Sequence, residues 1–131
     1  MRLLLDTSAY IALVGGHPEI ADEALHAELL YLSPVVLGEL LAGFRKGTRY
    51  EQNAAVLEGF LGKPGVAVLS IDEETADRYA ILHQWLRRAG QPIPSNDLWI
   101  AASAFQHGLR LLTTDRHFTG VPQIAAICHT T

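Results

Sequence analysis

The sequence predicts an α/β fold, a parallel sheet with helices on both faces, and two observations carry the prediction. Short apolar runs alternate with longer stretches of helical periodicity, and no two runs are joined by a hairpin-type turn. Strands linked without hairpins need crossover connections, and crossovers build parallel sheets. A third observation sets the scale. The 131 residues, 49% apolar and 18% charged, suffice for one domain with its own core and argue against a disordered chain. The expected single domain spans residues 1–131.

The elements follow in order. "RLLL" (2–5) reads as a short buried strand stopped by Asp6. Thr7 or Ser8 then caps an apolar helix over about 8–14, which Gly15 and Gly16 end. Pro18 opens a second helix, "PEIADEALHAELL", whose acids cluster early, where the helix dipole favours them. "YLS" is a brief strand. Ser33 and Pro34 cap and start the helix "PVVLGELLAGFRKG". A helix at about 48–61 sets Tyr50, Ala54, Leu57 and Leu61 at helical spacing. "GVAVLSI" is the clearest β segment. Asp72 caps a long amphipathic helix, "EETADRYAILHQWLRRAG", which Gly90 stops. "QPIPS" is a loop, and "NDLWIAASAFQHG" is a helix closed by Gly108. "LRLLTTD" and "QIAAICH" are the last strands.

Arg2 is followed by only three leucines before Asp6 interrupts, so the start does not read as a signal peptide. No run approaches the roughly 18–20 apolar residues of a membrane span. The expectation is a cytoplasmic domain without a membrane partner. A single cysteine, Cys128, excludes an internal disulfide and a cysteine zinc site and reads as a small core residue. The net charge of −4 disfavours gripping nucleic acid by bulk electrostatics alone. It leaves room for a protein that engages phosphates through bound metal.

Four acids stand out against their surroundings. Asp6 ends an apolar strand, where a carboxylate without a partner would be costly. Glu39 is the only ionisable residue within "PVVLGELLAGF", on a helical face with Val35, Val36 and Gly43 and with no basic neighbour three or four positions away. Asp97 sits in the first turn of "NDLWIAASAFQHG", with Ser95 and Asn96 both available to cap. Asp115 closes "LRLLTTD" and so repeats the arrangement of Asp6. Ligands of open parallel sheets bind beyond the C-terminal strand ends, where these acids would meet. Four carboxylates in one place repel and raise one another's pKa values. Divalent cations relieve that repulsion, and an all-oxygen donor set suits Mg²⁺ or Mn²⁺ rather than zinc. The implied chemistry is metal-assisted hydrolysis of a phosphodiester.

The stretches "LLLDTSAYIAL", "LSPVVLGELLAGFRKG" and "PSNDLWIAASAFQHGLRLLTTDRHF", in this order and spacing, resemble the PIN domain and in particular the VapC-type toxin ribonucleases of toxin–antitoxin pairs. The resemblance runs from residue 2 to about 127. It implies an α/β/α sandwich around a central parallel sheet and a Mg²⁺-dependent endoribonuclease. It also implies a homodimer neutralised by a cognate antitoxin, whose C-terminal segment occupies the groove. Carried onto this sequence, Asp6, Glu39, Asp97 and Asp115 form the acidic, metal-binding quartet, and Thr7, Ser8 and Thr113 are its supporting hydroxyls.

Arg45, Lys46 and Arg49 after the Glu39 helix, and Arg116 with His117 after Asp115, are candidate contacts to RNA phosphates. Arg87 and Arg88 read as a helix end, and Asp72, Glu73 and Glu74 as capping and dipole complement. Trp99 and Phe105 read as core or dimer contacts rather than base-stacking platforms. No histidine pair has the spacing of a metal motif, which disfavours histidine acid–base cleavage. An aspartyl-nucleophile phosphatase would want a second carboxylate two residues after Asp6, where Ser8 stands. It would also want a lysine near the later acids, and Lys46 and Lys63 are the only lysines. A PIN-like module that binds RNA or protein without catalysis is the other alternative. It gives no reason to keep four mutually repelling acids.

Overall fold

A computed structural model describes residues 1–130. The strands are β1 (Arg2–Leu5), β2 (Leu29–Leu32), β3 (Val66–Val68), β4 (Arg110–Thr113) and β5 (Ala125–Cys128). The helices are α1 (Thr7–Val14), α2 (Pro18–His26), α3 (Pro34–Lys46), α4 (Tyr50–Leu61), α5 (Glu73–Arg88) and α6 (Ser95–His107), with a 3₁₀ turn at Arg116–Gly120. Among the described residues the strands form one parallel sheet in the order β3-β2-β1-β4-β5. The chain moves outward from β1 to β3, then returns across β1 to β4 and β5. Right-handed crossovers in opposite directions put helices on both faces, which gives the expected three-layer α/β/α sandwich.

The reversal lies between β1 and β4, so the switch point of the sheet opens at their C-terminal ends. Both strands are apolar without alternation because both faces are covered. Leu3, Leu4, Leu5, Leu111 and Leu112 are completely buried. Helix α6 contributes Leu98, Ile100, Ala101, Ala102 and Ala104 to the same core. Its alanines carry little bulk and let the helix lie close to its neighbours.

Helix α5 begins with a reciprocal cap. The Asp72 carboxylate accepts from Thr75 N at 3.1 Å, and Thr75 Oγ1 accepts from Asp72 N at 3.0 Å. Gln106 Nε2 donates to Asp72 Oδ1 at 2.9 Å, which ties this cap to the end of α6. Trp99 stacks on Tyr79 at 4.2 Å and Phe105 lies under Arg78, so both aromatics, expected as core or dimer contacts, pack half-buried along the α5–α6 seam. Gly108 closes α6 in the left-handed conformation, φ 61°, where a side chain is strained.

Several boundaries differ from the sequence reading. Asp6 itself caps α1, accepting from Ala9 N at 2.8 Å, so neither Thr7 nor Ser8 does so. Helix α2 stops at His26, because Leu29 and Leu30 pair with Arg2 and Leu3 and so begin β2 early. Only Val66–Val68 of "GVAVLSI" is strand; it lies at the sheet edge, with Ala67 and Val68 exposed. Pro94 precedes α6 without a side-chain cap, so Ser95 and Asn96 are its first helical residues rather than caps. Cys128 is half-buried in β5 rather than deep in the core. Among the described residues no helix is long and apolar enough to cross a membrane.

Candidate active site

The register of β1 and β4 sets the site. Leu5 pairs with Leu112, and Asp6 N donates to Leu112 O at 3.2 Å, so Asp6 leaves the sheet beside Thr113. No lysine or arginine meets the Asp6 carboxylate among its hydrogen-bond partners. Its Oδ1 accepts from Ser8 Oγ at 2.7 Å and from Ala9 N, and its Oδ2 accepts from Thr113 Oγ1 at 2.6 Å. The same Thr113 hydroxyl accepts from Asp115 N at 2.9 Å, and Ser8 Oγ accepts from Thr114 N at 3.0 Å. Two hydroxyls thus lash the end of β1 to the turn after β4.

Helix α3 points Glu39 at the same strand ends. Glu39 Oε1 accepts from Thr7 Oγ1 at 2.7 Å, and its Oε2 accepts from Asn96 Nδ2 at 3.4 Å. Its missing local partner is therefore supplied from α1 and α6. Glu39, Asp97 and Asp115 share one open cleft of about 550 Å³ with Ser95, Asn96 and His117, and Asp6 lies deeper, 4% exposed. All three expected hydroxyls, Thr7, Ser8 and Thr113, touch one of the four acids.

His117 joins the acids more closely than the sequence suggests. Its Nδ1 is 3.2 Å from Asp115 Oδ1 and 3.8 Å from Asp97 Oδ2. One ligand atom from each of Asp97, Asp115 and His117 lies within 4.8 Å of the others. The 3₁₀ turn does this: Asp115 Oδ1 caps it by accepting from His117 N at 2.9 Å, which folds the imidazole back over the cleft. A histidine two residues after an acid was the available signal.

Arg45, Lys46 and Arg49 are exposed around the α3–α4 junction and do not line the acidic cleft. Arg45 stacks on Tyr50 at 4.2 Å and donates to its hydroxyl at 3.0 Å. Arg116 stands nearer, lining two hollows that share His117 and Asp115, respectively, with the cleft.

Electrostatics follow from this crowding. Burial, then the charges of Asp115, Glu39 and Asp6, push the Asp97 carboxyl up to about 6, against the opposing pull of His117. Burial also raises Asp6, although the bonds from Thr113, Ser8 and Ala9 favour its ionised form. A cleft that makes its own carboxylates harder to ionise is short of positive charge. The grouped ligand atoms of Asp97, Asp115 and His117, two carboxylate oxygens and one imidazole nitrogen, fit a divalent cation, which would supply it.

Residues 3–123 match the PIN domain. The chain is 32% identical over 126 residues to ribonuclease VapC4 of Mycobacterium tuberculosis, covering 96% of this chain and 95% of that protein. It is 32% identical over 127 residues to the tRNA(fMet)-specific endonuclease VapC of Salmonella typhimurium, covering 95% of each. The crystal structure of DNA-bound VapBC from Salmonella typhimurium matches with a TM-score of 0.85 at 31% identity, over 97% of each chain. That of VapBC2 from Rickettsia felis, bound to a promoter DNA fragment, matches with a TM-score of 0.84 at 26% identity, over 97% of this chain and 98% of that one.

Proposed function

This chain belongs to the PIN domain family, and from that premise we propose that it is a Mg²⁺- or Mn²⁺-dependent endoribonuclease, the toxin of a toxin–antitoxin pair acting in the cytoplasm. One observation carries the reading: Asp6, Glu39, Asp97 and Asp115 come from four different elements to the switch point of the sheet. The ribonuclease names of its relatives agree with it.

In this reading the four acids hold the metal, and Thr7, Ser8 and Thr113 fix where they point. The chemistry such an ion supplies when bound is water activated near neutral pH and relief of charge at the scissile phosphate. The residues themselves prepare the site. Asp6 keeps both oxygens in place through hydroxyl donors. Thr7 and Asn96 orient Glu39 from two sides. Asp97 retains its proton below about pH 6 and offers a carboxylate above it. His117, against Asp97 and Asp115, balances part of their charge when protonated. Arg116 beside the cleft is placed for an adjoining phosphate. Products would be a 5′-phosphate and a 3′-hydroxyl.

The cognate antitoxin and a homodimer belong to the same proposal. The two solved structures compared above are those of VapBC proteins. Ile11 and Val14 on α1 and Leu25 on α2 are exposed apolar residues that a partner would cover.

The test is cleavage of a panel of structured RNAs with Mg²⁺ and with EDTA, alongside Asp6→Asn and Glu39→Gln. Cleavage should vanish with chelation and in both variants. Cleavage that survives all three refutes the reading, and RNA binding without cleavage in Mg²⁺ would leave a binding module instead.

A further inference from the structure

A hollow of about 290 Å³ lies beside the acidic cleft, and His117 forms a wall of both. Its floor is apolar: Leu86 from the end of α5, with Pro92 and Ile93 from the loop before α6. Its rim is polar, with the Gln91 amide on one side and Arg116 and Thr119 of the 3₁₀ turn on the other. Both walls are anchored. Gln91 N donates to Leu86 O at 2.9 Å, and buried Phe118 roots the turn in the core.

We propose that this hollow is a nucleobase subsite, which takes one unpaired base next to the scissile phosphate and gives cleavage a sequence preference. The proposal rests on the ribonuclease reading above and deepens it. An unpaired base has apolar faces and a hydrogen-bonding edge, and RNA is read by sequence mainly through such splayed bases. The floor matches the faces, and the rim matches the edge. Gln91 offers both donors and an acceptor, and Thr119 offers a hydroxyl. A volume at the lower end of the range for small-molecule sites, roughly 300 Å³ and upward, admits a base and excludes a duplex. Arg116 lines this hollow and also the one holding Ser8 and Asp115, so it stands where the phosphate between cleft and base would pass. A free phosphate would not choose an apolar floor, and arginine on the rim favours a polyanion over an acid-poor peptide.

The test uses the full chain, Mg²⁺ and an RNA carrying a randomised single-stranded region, with the cut ends sequenced. Wild type should favour one base at a single position adjoining the cut. Gln91→Ala removes the amide. Gly120→Val crowds it, because a Cβ at Gly120 lies 3.3 Å from Gln91 Oε1 while Gly120 is outside the left-handed region. Each variant should lower the ratio of favoured to disfavoured cleavage by about tenfold, as expected for losing a hydrogen bond or two. The ratio is taken within one protein sample, so partial misfolding cancels from it. A ratio unchanged in both variants, or no base preference in wild type, overturns the subsite. An unchanged ratio is also what a protein segment as the true occupant would give. If wild type cleaves no RNA at all, the ribonuclease reading fails first and the subsite falls with it.

Discussion

Thr113 Oγ1 donates to Asp6 Oδ2 at 2.6 Å while accepting from Asp115 N at 2.9 Å, so one hydroxyl sets the positions of two acids on neighbouring strands. Thr113→Val keeps the shape and removes the bond. Asp6 then stays buried with one fewer donor, which should cost about 1–3 kcal/mol of stability. Support of this kind around ligands is typically worth about 10–100-fold in activity or metal affinity. Urea unfolding and RNA cleavage of the variant check both figures; full activity would show that Asp6 needs no such support.

Asp97 gives a pH dependence whose sign is the reverse of the usual salt-bridged acid. Its folded-state pKa, about 6, lies above the ordinary 3.8, so ionising it opposes folding. The penalty is absent below about pH 4, grows through the window and is complete above about pH 6. Asp97→Asn removes it. Without divalent ions, the variant should exceed wild type near pH 7.5 by on the order of 2–3 kcal/mol, and the gap should close at acid pH. Paired unfolding curves across this range decide it. A gap that widens on acidification contradicts the assigned direction.

Divalent ions should close that gap. A ligand that binds only the folded state stabilises it by about 2.7 kcal/mol at a hundredfold excess over Kd. Mg²⁺ or Mn²⁺ should therefore raise the Tm of wild type by several degrees, and EDTA should undo the rise. Asp97→Asn should show little response. Thermal scans with and without each ion are enough, and equal shifts in the two proteins would remove Asp97 from the ligands.

Gly108 offers a control remote from chemistry. Its φ of 61° strains any side chain, although no atom lies within 4 Å of an added Cβ. Gly108→Ala should cost about 1 kcal/mol in denaturant unfolding and leave cleavage per folded molecule unchanged. A neutral substitution would mean that the helix end relaxes.

The sheet was legible because its central strands are unbroken apolar runs, and the acids because each interrupts such a pattern. Asp6 and Asp115 could be located from strand ends alone, and Glu39 from its apolar helix. Local competition obscured the rest. Asp6 has the side chain and backbone of a cap, so it displaces Thr7 and Ser8, whose hydroxyls turn to the acids instead. Leu29 and Leu30 suit helix and strand alike, and only pairing with β1 decides between them. His117 read only as a phosphate contact, because its closeness to Asp97 arises through space, from a 3₁₀ turn that sequence patterns do not mark. Arg45, Lys46 and Arg49 form a basic cluster in sequence, yet the α3–α4 junction turns them away from the cleft lining.

The strand order also has a consequence for synthesis. Asp6 is synthesised well before the hydroxyl that holds it, which lies 107 residues later. Strand β4 must insert next to β1 before that bond can form. A nascent or prematurely terminated chain lacking β4 therefore carries its first acid without Thr113 and without Asp115. Such fragments should be inert towards RNA, so cleavage would have to wait until β4 and the turn after it had been translated and had joined β1.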